Sequence, residues 1–177
     1  LGTLQITDEA IEATFKRSHA VGITFETTLS RFGLRGELVA RDKESFLTGA
    51  LTSVRHTTLT AMIGIDTAAA HDWYLNLQIG GQHLFGYDPS ILYFDQTNLP
   101  FTIQVKKTFP GERFTVSTDM AWMLNDGSYF ISPKVSTNWF ENVELALGFH
   151  IFGGGVDTLM GRYHANDQLF FTATLQF

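Results

Sequence analysis

The sequence contains no cysteine, which excludes disulfide staples, thiolate metal sites and thiol redox chemistry. Charge is scarce too: Lys+Arg 12 and Asp+Glu 18 make 17% of 177 residues, against roughly 25% in ordinary soluble domains. The net charge of −6 comes with no basic block longer than Lys16-Arg17 or Lys106-Lys107. Phosphate binding needs clustered cations, so a nucleic-acid partner is excluded. Long apolar runs are also missing. The longest stretch without a formal charge, Trp73 to Tyr87, holds fifteen residues, including Asn76, Gln78, Gln82 and His83. It is too short and too polar for a helix that needs about 20 apolar residues to cross a bilayer. No basic start followed by an apolar stretch marks a signal peptide, and Leu1-Gly2-Thr3 reads as a cut end.

What is abundant is hydrophobic (44%) and aromatic (14%) side chains, enough to fold one domain and to exclude disorder. They follow a two-residue period, the mark of strands with one apolar face. At the C-terminal end Leu169, Phe171, Ala173, Leu175 and Phe177 alternate with Gln168, Phe170, Thr172, Thr174 and Gln176. The same alternation predicts strands over 21–29, 58–66, 73–82, 101–106, 114–122 and 143–151, with noisier ones over 34–41 and 129–139. Pro133 lies inside the last of these, where its missing N–H forfeits one ladder hydrogen bond and predicts a bulge or a local weakness. The fold class read from this pattern is all-β, with about nine antiparallel strands near the ten-residue length that crosses a bilayer at a tilt.

Connections alternate in size. Short turns are expected at 30–32, 68–72, 110–112 and 140–142, and longer connections at 43–55, 85–99 and 153–166, with a tight Asn125-Asp126-Gly127-Ser128 hairpin between 114–122 and 129–139. Outer-membrane barrels have this arrangement, with short turns at one end and long loops at the other. A soluble β-sandwich would show the same alternation. Two features favour an antiparallel up-and-down transmembrane β-barrel. Aromatic residues Phe32, Trp73, Phe109, Trp139, Phe140 and Phe177 gather at strand ends beside short turns, where a membrane-interface girdle would sit. The opposite phase is polar yet sparsely charged, as suits a wet lumen.

The ending Leu169-Phe-Phe-Thr-Ala-Thr-Leu-Gln-Phe177 resembles the C-terminal strand signature of Gram-negative outer-membrane proteins, which the barrel assembly machinery reads. Further segments, His19 to Leu29, Phe32-Gly-Leu-Arg-Gly-Glu37, Leu124-Asn-Asp-Gly127 and Gly161-Arg-Tyr163 before Asn166-Asp167, resemble the C-terminal part of a large, poorly characterised family of longer proteobacterial outer-membrane proteins. The resemblance implies location in the bacterial outer membrane, contact with its lipid and lipopolysaccharide, and termini on the periplasmic side. It supplies no catalytic residues.

Bacterial single-chain barrels have even strand numbers, and nine is odd. Counting back from a periplasmic Phe177 makes the strand at 20–29 run inward, so an outward strand must precede it. Within residues 1–19 only Leu1 to Thr7 is a candidate, too short for a full crossing, with Asp8 to Arg17 as an external loop. The chain is therefore expected to be the C-terminal portion of a larger barrel, paired with upstream strands of the same protein or with a partner chain. A self-contained ten-strand barrel is the alternative.

Residues expected to line the lumen are Glu26, Arg35, Glu37, Arg41, Asp66, Lys106, Asp119, Lys134 and His150. A two-residue Asp126-Gly127 turn would pair Asp119 with Lys134, and Glu26 should lie directly or diagonally across from Arg35. Such charges either filter polar solutes by a transverse field or only satisfy one another and stiffen the wall. Ser132 is expected opposite His150, with Asp119 one strand further on. That trio could suggest a lipid hydrolase, but it would face the lumen rather than lipid, and no nucleophile motif surrounds Ser132. The six histidines show no ligand spacing, so no metal or cofactor is implied. Gly153-Gly-Gly-Val156 lacks a phosphate-loop context. The aromatic segment Phe85 to Phe94 is expected to fold over the mouth or pore, or to contact lipopolysaccharide or a partner. The function expected is a porin-like, non-enzymatic channel for small polar solutes. The alternatives are a scaffold sheathing a partner protein, a surface-binding protein acting through its loops and, last, a lipid hydrolase.

Overall fold

The computed structural model describes residues 17–69, 72–109, 111, 113–140 and 142–175. The short strand expected at Leu1 to Thr7 and the terminal Phe177 lie outside them. The chain is all-β, with ten strands in one antiparallel sheet. They are β1 (His19–Leu29), β2 (Phe32–Leu47), β3 (Ser53–Ala69), β4 (Trp73–Phe85), β5 (Thr97–Asn98), β6 (Pro100–Thr108), β7 (Phe114–Met123), β8 (Tyr129–Phe140), β9 (Val143–Gly153) and β10 (Gln168–Leu175). Nine run up and down in chain order, and the two-residue β5 pairs beside the path with β4. Among the described residues the sheet does not close: there β1 pairs only with β2, and β10 only with β9.

Short turns depend on residues that accept a left-handed backbone. Ser30 (φ 59°), Asp72 (φ 61°), Gly111 (φ 84°) and Asn142 (φ 61°) occupy that region at the four turns of the same end, a conformation that Gly takes freely and that Asn and Asp tolerate best among residues with a Cβ. At the other end, the long connection expected over 43–55 is mostly strand. β2 and β3 continue to Leu47 and from Ser53, leaving only a five-residue tip. Their ladder shifts by one residue between Arg41 and Glu44, a bulge centred on Lys43 at φ 54°. This extra residue reverses the facing of everything beyond it, so that Glu44 and Phe46 join the face that carries Arg41.

The ladder resolves two further expectations. No bulge forms at Pro133, whose partner in β7 is Thr118. The ladder with β9 keeps one register from Ile131 to Thr137 but is interrupted at Ser132 and Pro133, the local weakness expected of a missing N–H. The irregularity lies later, between Thr137 and Phe140. The expected Asp119–Lys134 pair is replaced by Asp119 opposite Ser132, with Lys134 opposite Ser117. The turn is four residues wide, not two. Met123 N–H donates to Ser128 O at 2.8 Å, and the tip is held open from the side. Leu99 N–H donates to Asn125 Oδ1 at 2.8 Å, and Leu124 N–H to Leu99 O at 2.9 Å. Because the slip is two residues, every side chain keeps its face.

The two faces differ in a way opposite to a soluble core. Val21, Ile63, Leu147 and Phe171, all on the apolar phase, are 73%, 49%, 49% and 66% exposed. Ile63 and Leu147 lie inside the sheet, so no second layer covers them. The buried strand hydrophobics Phe46, Leu84, Met123 and Ala146 all fall on the polar phase by strand parity, which is therefore the sheltered side. Register is directly testable. Cysteines at Asp119 and Ser132 should form a disulfide, whereas cysteines at Asp119 and Lys134 should not, because diagonal Cα atoms stand about 7–8 Å apart, beyond easy disulfide reach. Efficient cross-linking of the second pair would contradict the four-residue turn.

Candidate functional site

The nine charged or imidazole residues singled out in the sequence share one face. Glu26 lies opposite Arg35, as expected, and Arg35 opposite Gly64. The Arg35 guanidinium, however, pairs with Asp66 two positions along β3. Glycine makes that diagonal reach possible. A Cβ on Gly64 would stand 3.3 Å from Arg35 Cγ, and one on Gly33 would meet Asp66 Oδ1 at 2.9 Å. Beyond the bulge, Arg41 donates to Glu44 Oε1 at 2.8 Å, and Thr58 Oγ1 donates to the other Glu44 oxygen at 2.6 Å. Glu44 was not apparent from sequence, because without the bulge its parity places it on the apolar face.

A polar row crosses the middle of the sheet through Asp66, Asn76, Gln104, Asp119 and Ser132. Gln104 Nε2 donates to Asp119 Oδ1 at 2.6 Å, and along β4 Gln78 Nε2 donates to Asn76 Oδ1 at 3.0 Å. Lys106 and Lys134 flank Ser117 from either side. Among the described residues, Glu26, Glu37, Lys106 and Lys134 form no salt bridge. Asp119 on β7 and Glu144 on β9 form none either, so the charges left over are acids on β1, β2, β7 and β9 and bases on β6 and β8.

Ser132 Oγ and His150 Nδ1 share a hydrogen bond of 3.1 Å. Asp119 stands beside Ser132, not beside His150. A catalytic acid must orient the base from the nitrogen that the nucleophile does not use, so the order along the row is wrong for a triad. The His150 ring is instead a wall: it stacks on Phe170 at 4.5 Å and lies 5.4 Å from Phe130. Among the described residues, no group of three or more His, Asp or Glu side chains is placed to hold a metal ion.

On the apolar face, aromatics mark both ends. At the short-turn end Lys107 Nζ lies 5.4 Å over the Trp73 ring and the Arg31 guanidinium 5.1 Å over Phe32, while Phe109 is exposed. The side chains of Trp139 and Phe140, and all of Phe177, lie outside what is described. A second band, missed in the sequence, is formed at the long-loop end by Phe101, Trp122 and Tyr129, with Phe101 opposite Trp122 and Trp122 opposite Tyr129. Its signal was legible: these residues are on the apolar phase at the opposite strand ends.

The segment 86–96 folds back over the polar face. Ile91 pairs with Thr48 at the β2–β3 tip, and Gly49 N–H donates to Ser90 O at 2.9 Å. Ile91 packs with Phe46 and Leu84, and Val54, Tyr87 and Phe94 close round them. Asp88 Oδ1 accepts from Ser90 N–H at 2.9 Å, which holds its carboxyl below the ordinary value, while burial pushes the Tyr87 phenol up. Leu84, fully buried at 0% exposure, anchors this cap. Leu84→Ala should cost about 3 kcal/mol and accelerate chymotrypsin cleavage at Tyr87 and Phe94, whereas Leu38→Ala on the open face should leave cleavage unchanged. Equal cleavage rates in the two variants would show that the cap does not depend on this anchor.

No protein-family model matches the chain, and no match is found among curated proteins or solved structures.

Proposed function

We propose that the chain is the wall of a bacterial outer-membrane β-barrel that lets small polar solutes pass along its polar face. One observation carries this reading: the apolar face is open along its whole length while the buried strand hydrophobics sit on the other side. In water, each apolar side chain left half exposed forgoes roughly 1 kcal/mol relative to full burial, and so large an exposed apolar patch marks a membrane or partner surface. Lipid tails cover such a face without a second sheet. The aromatic bands at both ends support the same placement, since Trp, Tyr and Phe girdles flank the apolar belt of outer-membrane barrels. Phe114 and Trp122, near either end of β7, are about 26 Å apart along an extended strand, which at a tilt of about 40° spans roughly 20 Å of the roughly 25 Å belt.

Backbone hydrogen bonding demands completion of the ring. In hydrocarbon the free edges of β1 and β10 would leave N–H and C=O groups unsatisfied at several kcal/mol each. Because β1 and β10 end a path of nine antiparallel neighbours, they run in the same direction. Antiparallel closure therefore takes an odd number of further strands, supplied by upstream strands of the same protein or by a partner chain. The C-terminal strand signature supports delivery by the barrel assembly machinery.

Inside the ring, Glu26 and Glu37 on one side and Lys106 and Lys134, with Asp119 between their strands, on the other would present a mixed-charge wall of the kind that selects among ions. Nothing in this reading requires an enzyme. Reconstituted protein with its ring complete should conduct in planar bilayers, and Lys106→Glu with Lys134→Glu should raise its preference for cations over anions several-fold. A barrel that sheaths a partner would carry no current until the partner is removed. Ile63→Lys should impair membrane assembly, a charge on the lipid face costing about 2–4 kcal/mol near mid-bilayer. A wild-type chain that stays a dispersed monomer in detergent-free buffer would overturn the proposal.

A further inference from the structure

Besides the apolar cluster under the 86–96 cap, the polar face contains an aromatic island. Phe130 and Phe152 stand 5.0 Å apart, Phe130 and His150 5.4 Å, and His150 and Phe170 4.5 Å, the last pair nearly parallel with 23° between planes. Polar-phase positions in the neighbouring strands hold Thr102, Gln104, Asp119 and Ser132, so the aromatic rings are not required to fill the wall. The loop between β9 and β10 folds over the island through its single 3-10 turn, Gly161–Tyr163. The Tyr163 ring reaches Phe152 at 5.6 Å. Between strand and loop lies a shallow cavity of about 430 Å³, wide open to solvent, to which Leu159 and Met160 add apolar lining and Arg162 the one formal charge.

Arg162 is the second half of the observation. Its guanidinium carbon sits 4.4 Å over the Tyr93 ring and 4.7 Å over the Tyr163 ring. These contacts join the β9–β10 loop to the 86–96 cap and hold the fork in place by its faces. Stacking leaves the N–H edges of a guanidinium free, and among the described residues Arg162 has no carboxylate in salt-bridge range. A fixed cation with open donors beside an aromatic wall complements a flat apolar body that ends in an anion. His150 belongs to the wall, and the Ser132 hydrogen bond at 3.1 Å sets the orientation of its ring.

We infer that this cavity is a binding site for an aromatic monocarboxylate, its ring packed against Phe130, His150 and Phe152 and its carboxylate held by Arg162. The inference names a solute class for the proposed passage and so rests on that reading. The two are nevertheless tested separately: binding is read in detergent micelles without a membrane, and conductance is read without the ligand.

The experiment is titration calorimetry of the full chain in micelles with naphthalene-2-carboxylate, its neutral counterpart 2-naphthalenemethanol, and decanoate, each corrected against empty micelles. The acid should saturate a single site at least ten-fold more tightly than either comparison compound. Arg162→Met, on an exposed loop that no strand depends on, should reduce the acid to the affinity of the alcohol while the far-ultraviolet β signal is unchanged. Phe130→Leu should weaken acid and alcohol together by several-fold, because it removes ring contact and keeps the volume. Equal affinity for acid and alcohol in the unmodified chain, a preference that survives Arg162→Met, or decanoate binding as tightly as the naphthoate would overturn the assignment.

Discussion

A β-strand with alternating side chains makes two commitments at once: its backbone must pair sideways and its apolar face must be covered. In this chain the first is met internally across eight strand junctions and left open at β1 and β10. The second is not met by any part of the described protein. Most other features follow from this imbalance. The sheltered side is the polar one, where the long loops fold, and the exposed side carries the large hydrophobics. In the proposed reading, lipid would meet the second commitment and added strands the first.

The polar face is held by local compensation more than by a core. Arg35 reaches Asp66 across the space that Gly33 and Gly64 leave, and Arg41 is bound at the bulge to Glu44. These pairs neutralise themselves, while Glu26, Glu37, Lys106, Asp119, Lys134 and Glu144 form no salt bridge among the described residues. At the long-loop end the face changes character. Phe46, Leu84 and Ile91 form a small dry cluster under the cap, and Phe130, Phe152 and Phe170 form an aromatic wall beside it. The two loops over them are tied together by Arg162 between Tyr93 and Tyr163.

The Ser132–His150 contact illustrates how geometry assigns a role that residue types cannot. Both residues are present and bonded, as a nucleophile and base would be. Yet Asp119 lies on the serine side, and the imidazole is stacked on Phe170. A hydrogen bond that could activate a hydroxyl here fixes the plane of an aromatic wall instead.

Periodicity in the sequence alone determined the nine long strands, their order and, outside the bulge at Lys43, the side each residue takes, because alternation has a period of two and any even slip preserves it. That is why the nine polar-face residues were legible although the partner expected for Asp119 was not. Register belonged to the tertiary structure. The Asp126-Gly127 tip favours two residues locally, but Asn125 and Leu124 bond to Leu99 from a neighbouring connection and widen the turn to four. Likewise no local pattern marks Lys43 as a bulge, so the placement of Glu44 and Phe46 on the polar face, and with it the docking of the 86–96 cap, was decided only when β2 met β3. Short-range alternation is a property of one strand, whereas an odd slip is a property of two strands and whatever leans on their turn.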